Sequence, residues 1–194
     1  MIAAEDLTAA ERQVWDAFPT GQVVNFSAGN AGADDPAQSH NWGSDRQIRA
    51  EVLSALLCDV VPIESGHIGR VSIRGARVIG MIDLREATVK NSLHLDKCAI
   101  EDGIDLSDAR VRSIRLAYCR LGRVVVQEAT IDGQFILIGA HLDGGDGSAL
   151  KGEGLTVTGN MDCRWGFSAL GEIRLLNATI KGQLSLSGAQ LDGK

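Results

Sequence analysis

A mainly β fold wound into a solenoid, with a small α-helical head, is what the sequence predicts. Three observations carry the prediction. From Gly66 onward apolar residues come in pairs one apart, such as Val71/Ile73, Ala76/Val78 and Ile82/Leu84. These pairs recur every five or six residues, too soon for ordinary strands joined by hairpins. The composition holds 23 Gly in 194 residues but only 4% aromatics, which suits stacked small and medium aliphatics better than a core of rings. Two apolar residues one apart face the same side of an extended segment. A chain that turns every five residues with such a pair always inward winds into a coil.

The head, residues 1–65, reads as helical. In "LTAAERQVWDAF", Thr8 is an N-cap with Glu11 three residues on, a capping box, and Val14, Trp15 and Phe18 form an apolar face. In "GSDRQIRAEVLSALLCDVVP", Ser44 reads as the cap of a second helix, with Gln47 at its third position and Asp45 near its positive end. Ile48, Val52, Leu53, Leu56 and Leu57 then follow at helical spacing, and Pro62 helps end the run. The apolar face of this helix is expected to cover the first coil. Between the helices, "SAGNAGADDPAQSH" is a polar loop.

Residues 66–194 carry the repeat. "ATVKNSLHLDKC", "ATIDGQFILIGA" and "ATIKGQLSLSGA" show an eleven-residue unit made of one five- and one six-residue step, often with Gly at the extra residue. This segment, two-thirds of the chain, resembles the pentapeptide-repeat family. It is a variant, because the family's strict five-residue A(D/N)Lxx motif is loosened to an alternation of five and six. The resemblance implies a right-handed quadrilateral β-helix in which each side points a small residue and a larger aliphatic inward. On that four-sided plan Ala76, Cys98, Cys119 and Ala140 share one column, and Ala87, Ala109 and Ala129 share the opposite one. The other two sides place Ile82, Ile104, Val124 and Leu93, Ile114, Phe135 at the equivalent positions. About twenty pairs make about five coils, a rod of roughly 25 Å at the ~4.8 Å strand spacing.

The register breaks twice. "DGGDGSALKGEG" (143–154) is too long for a turn and is expected to bulge as a loop, while "RWGFSALGE" (164–172) must supply a side whose inward pair is undetermined. "AHLDGGDGSAL" (140–150) and "AQLDGK" (189–194) begin alike, so the sequence stops where a second loop-bearing unit would start. The expectation is a solenoid cut or uncapped at its C-terminus, either continuing in a longer chain or meeting a partner through its last coil.

The net charge of −6 divides unevenly. Residues 1–65 hold three basic and ten acidic residues, whereas residues 66–194 hold 16 and 15, a balance of +1. No stretch reaches the ~18–20 apolar residues of a membrane span. The N-terminal "MIAAEDLTAAER" has acids where a signal peptide has basic residues, which points to the cytoplasm. Four Cys without close pairing suggest neither a disulfide framework nor a zinc site, although Cys98 and Cys119 fall one coil apart in one column. The histidines, at 40, 67, 94 and 141, lack metal-binding spacing, and no phosphate or dinucleotide loop is present. No cofactor, metal or catalytic residue is therefore expected.

One charge concentration stands out. Arg110, Arg112, Arg115, Arg120 and Arg123 form a belt around a single coil, a candidate site for an anion or an acidic partner. The leading functional reading is a non-catalytic scaffold for protein–protein interaction, binding a partner or itself through the C-terminal coil. Mimicry of DNA to protect a type II topoisomerase, the role best known in the family it resembles, is a second reading. It needs a strongly negative rod, and +1 argues against both it and nucleic acid as a partner. A third reading is an enzyme with a pocket where head meets solenoid, lined by His40, Trp42 and His67.

Overall fold

The computed structural model describes residues 4–58, 63 and 68–193. The boundary expected at 65/66, Pro62 and His67 lie outside these residues.

Short parallel strands stack into a β-solenoid of about six turns. Every turn has four faces. Face 1 stacks Val78, Ile100, Leu121, Leu142, Ala169 and Leu191 in register. Face 2 stacks Ile82, Ile104, Val124, Leu150 and Ile173. On face 3 the column is Val89, Val111, Ile131, Val157 and Ile180. Leu93, Ile114, Phe135, Met161 and Leu184 follow one another on face 4. The columns expected from the sequence are those observed. There is about one turn more than expected, because the two irregular segments and two segments of the head, Val24–Asn25 and Gln47–Arg49, also contribute sides.

Two kinds of corner produce the alternation of five and six. Before each small inward residue of faces 1 and 3 the backbone turns left-handed, at Glu86, Lys97, Asp108, Tyr118, Glu128 and Asn177, or at a glycine such as Gly139. The inward residue's N–H then closes a tight turn, as from Ala87 to Leu84 O and from Ala109 to Leu106 O. Many of the other corners take the sixth residue and bring backbones together at a glycine, as where Gly103 N–H donates to Ile100 O beside Arg123.

Both irregular segments keep the coil. Residues 141–151 form one extended strand that pairs with Ser168–Arg174 across two register shifts, with Gly145, Asp146 and Gly147 exposed. The expected bulge is thus a widened coil laddered to its neighbour rather than a separate loop. In the second segment Phe167 and Ala169 point inward, fully or almost fully buried. Phe167 fills the place that Ala140 takes one coil earlier.

The head is woven into the solenoid. Helix α1 (Ala9–Ala17) starts at the expected capping box, with Thr8 N–H donating to Glu11 Oε2 at 2.9 Å and Glu11 N–H to Thr8 Oγ1 at 3.2 Å. Strand β1 (Val24–Asn25) pairs with Ile73–Arg74 and extends face 4. The expected second helix starts later than Ser44. Gln47–Arg49 is instead strand β2, paired with Arg77–Ile79, and helix α2 (Ala50–Leu57) begins after it without a side-chain cap. Ile48 occupies the inward slot over Val78, and that burial outweighs the local capping signal. Val52, Leu53, Leu56 and Leu57, all fully buried, then close the top of the core. Among the described residues no helix is long and apolar enough to cross a membrane.

Candidate functional site

Outward positions carry the chemistry, since the inward ones are packed. Several outward carboxylates already have an arginine. Glu101 pairs with Arg77 at 2.9 Å, Asp83 with Arg85 at 2.7 Å, Asp132 with Arg110 at 2.8 Å and Asp162 with Arg164 at 2.7 Å. Arg77 is the main reason Glu101 sits below the ordinary carboxylate range, and Arg85 does the same for Asp83.

The five arginines of the belt lie around one coil as expected, and the fold does not bring them together. Arg110, on face 3, makes two bonds to Asp132. Arg120, on face 1, stacks between Ala99 and His141. Arg115, on face 4, stacks between His94 and Ile136. Arg112 and Arg123 are exposed at corners.

His40 and Trp42 line separate recesses. His40, with Ala37 and Ser39 of the head loop, faces Glu101, Arg120 and Asp143 across a hollow of about 390 Å³. Ser39 Oγ donates to Glu101 at 3.1 Å and ties the loop to face 1. Trp42 has a packing role. Its indole N–H donates to Ala33 O at 2.9 Å, and the Arg46 guanidinium lies 3.9 Å over its ring. Arg46 is itself buried, pairing with Asp34 at 3.1 Å and donating to Gly75 O at 2.8 Å. Asp34 accepts from the backbone N–H groups of Ala28, Gly29 and Asn30, so one carboxylate organises the polar loop. Burial opposes its ionisation, but these bonds and Arg46 leave its pKa lowered.

Cys98, Cys119 and Cys163 are buried and carry free thiols. Cys98 and Cys119 share the small column and are buried, their thiols against the carbonyls of Asp96 and Ala117 at 3.4 Å. Burial pushes the Cys119 thiol well up and that of Cys163 to about 12, so neither is poised as a nucleophile. Among the described residues no three His, Cys, Asp or Glu side chains group as metal ligands.

Two further features stand out on the surface, of which only the first was not singled out from the sequence. One is a recess of about 330 Å³ on face 4, where Ser72, His94 and Arg115 stand in one outward column beside Arg70, Arg74 and Asp96. These residues are some twenty apart in sequence and meet only through the coil repeat. Burial, helped by Arg70 and Arg115, pushes His94 down to about 4. The other is the last coil. Its inward residues Leu184, Leu186 and Leu191 are 40%, 43% and 54% exposed, although Met161, Cys163 and Ala169 one coil earlier are at most 2% exposed.

Comparison with protein-family models, with curated proteins and with solved structures returned no match.

Proposed function

We propose that the protein is a non-catalytic β-solenoid scaffold of the pentapeptide-repeat type, acting in protein–protein interaction through its last coil. The observation that carries this reading is the apolar exposure of that coil. Leu184, Leu186 and Leu191 continue columns that are buried everywhere above them. The strands that hold them pair on one side alone, so free backbone groups ring the apolar patch. An apolar patch bordered by unpaired strand edges favours association. The partner is a second copy. A four-sided ring of edges around an apolar centre is matched in outline by the same ring turned about a twofold axis, which gives a closed, isologous contact.

The side faces support a scaffold over a DNA mimic. Four carboxylates of the rod are paired with arginines at 2.7–2.9 Å, and residues 66–194 balance to +1, so the rod lacks the strong net negative charge that mimicry requires. Free buried thiols fit a reducing, cytoplasmic setting.

The test is light scattering over a dilution series, on this chain and on its Leu184→Glu/Leu186→Glu variant. Both leucines are exposed in a single copy, so the substitutions act on association more than on folding. The expected mass is twice 20.6 kDa for the parent chain and 20.6 kDa for the variant. A parent chain that stays at 20.6 kDa at every concentration overturns the second-copy reading.

A further inference from the structure

An exposed aromatic ridge runs down one edge of the rod, apart from its C-terminal end. At the corner between faces 4 and 1, the backbone N–H groups of Lys97, Tyr118, Gly139 and Trp165 donate to Ala117, Ile138, Arg164 and Ser187 O of the next coil, so these four residues form one column. Tyr118 and Trp165 stand two coils apart, about 10 Å at ~4.8 Å per coil. Gly139 lies between them, and the Tyr118 ring rests against the place that a Cβ would take there. The ring thus bridges part of the way to Trp165.

Packing does not account for these rings. Both residues are left-handed, at φ 52° and 51°, a conformation that bulky side chains seldom adopt. The matching corner before face 3 meets the same demand with Glu86, Asp108, Glu128 and Asn177. Tyr118 is 43% and Trp165 63% exposed, so neither adds much to the core. The Arg164 guanidinium lies 4.8 Å over one side of the Trp165 ring, and the exposure leaves the other side open. The charge beside the ridge is positive. Arg115 on face 4 and Arg120 on face 1 flank it, and Lys97 continues the column above Tyr118. Of the described carboxylates nearby, Asp96 is held by Arg74, Asp162 by Arg164 and Glu101 by Arg77. Asp143, which shares a recess with Arg120, stands against three cations. The acidic head meets this column at Gly75, four coils or about 19 Å above Trp165, and solvated charges are screened beyond ~10 Å at 0.1 M salt.

We propose that this corner binds single-stranded nucleic acid, with bases stacked on Tyr118 and Trp165 and phosphates held by Lys97, Arg115 and Arg120. The cations select a polyanion. The rings select one whose planar groups are unpaired and free to stack, which sets a single strand above a duplex or an acidic peptide. Every base has a π-face, so the binding is independent of sequence. The balance of +1 over residues 66–194 belongs to the rod as a whole and does not describe this edge. The separation of about 10 Å is roughly three steps of a stacked strand at ~3.4 Å each, so a strand of about four nucleotides reaches both rings.

Fluorescence anisotropy of a labelled oligothymidylate about ten nucleotides long, read together with tryptophan emission, tests the assignment. Binding should saturate, should quench an emission that Trp165→Phe removes, and should weaken about tenfold or more between about 100 and about 400 mM potassium chloride. A probe of about two nucleotides, too short to reach both rings, should bind at least about tenfold more weakly. Trp165→Ala should weaken binding by about fivefold or more and Trp165→Phe by less, because Phe keeps a stacking face. Arg120→Gln should lower the slope of log affinity against log salt by about 0.7. Circular dichroism and the melting temperature establish that these variants are folded. No saturable binding, unchanged affinity in a folded Trp165→Ala variant, or equal displacement of the strand by polyglutamate or by duplex DNA would each overturn it.

Discussion

Glu11 shows how much one side chain can hold. It is 1% exposed, yet its carboxylate accepts from Thr8 N–H, from Arg49 N–H at 3.0 Å and from the Arg49 guanidinium at 2.8 and 2.9 Å. Through it, α1 is tied to β2 and so to the first coil. Burial alone would raise its pKa. The Arg49 and Thr8 bonds outweigh burial and bring it from 4.5 to about 2. A carboxylate with a depressed folded pKa contributes stability above its unfolded value and loses it as pH falls through the folded one. Glu11→Gln should cost about 2 kcal/mol at pH 7, since water still reaches the outer edge of Arg49. Melting temperatures of the two proteins should converge as pH drops from 4.5 towards 2. A gap that stays constant over that range would mean that shape rather than charge accounts for the cost. The capping box was legible in the sequence because its partners are three residues apart. The Arg49 contact was not, because only the fold brings residues 38 apart together.

At the scale of the element, period-two pairs and their five- or six-residue return were enough to place the inward columns. The pattern failed where a local signal met a stronger tertiary one. Ser44, Asp45 and Gln47 spell a helix start, but Ile48 stacks on Val78, so the chain stays extended to Arg49. Phe167 hid its register because every other member of its column is Ala or Cys. The recess on face 4 was equally hidden, since its members are neighbours only across coils. Corners explain which glycines matter. Gly103 has φ +80°, and a Cβ there would meet Arg123 O at 2.0 Å; Gly145 has φ +60° with nothing within 4 Å. Gly145→Ala should cost the left-handed strain alone, about 1 kcal/mol, whereas Gly103→Ala must also push neighbouring coils apart and should cost about 3 kcal/mol or more. Urea unfolding of the two variants makes the comparison. Equal costs would show that the coils at Gly103 yield more easily than their backbone contact implies.

Over the whole molecule, each coil touches only the coils beside it, so stability is passed along the rod from neighbour to neighbour. The two ends are not equivalent. At the first coil α2 lays four fully buried residues over the core, and β1 and β2 continue two faces into the head. At the other end Thr179–Ile180, Leu184–Ser185 and Gln190–Asp192 each pair with one strand, over leucines 40–54% exposed. Local opening should therefore begin at residues 179–192, where an opened strand gives up one ladder and little buried apolar area. Amide hydrogen exchange is expected to be slowest around residues 104–131 and fastest in the last coil of a dilute sample. If a second copy covers that coil, raising the concentration adds a second ladder to the same strands. Protection should then rise at residues 179–192 and stay unchanged at residues 70–79, because binding stabilises what it touches. A last coil whose exchange is independent of concentration would leave it without a self-partner. Protection rising equally at both ends would place the contact along the side faces instead.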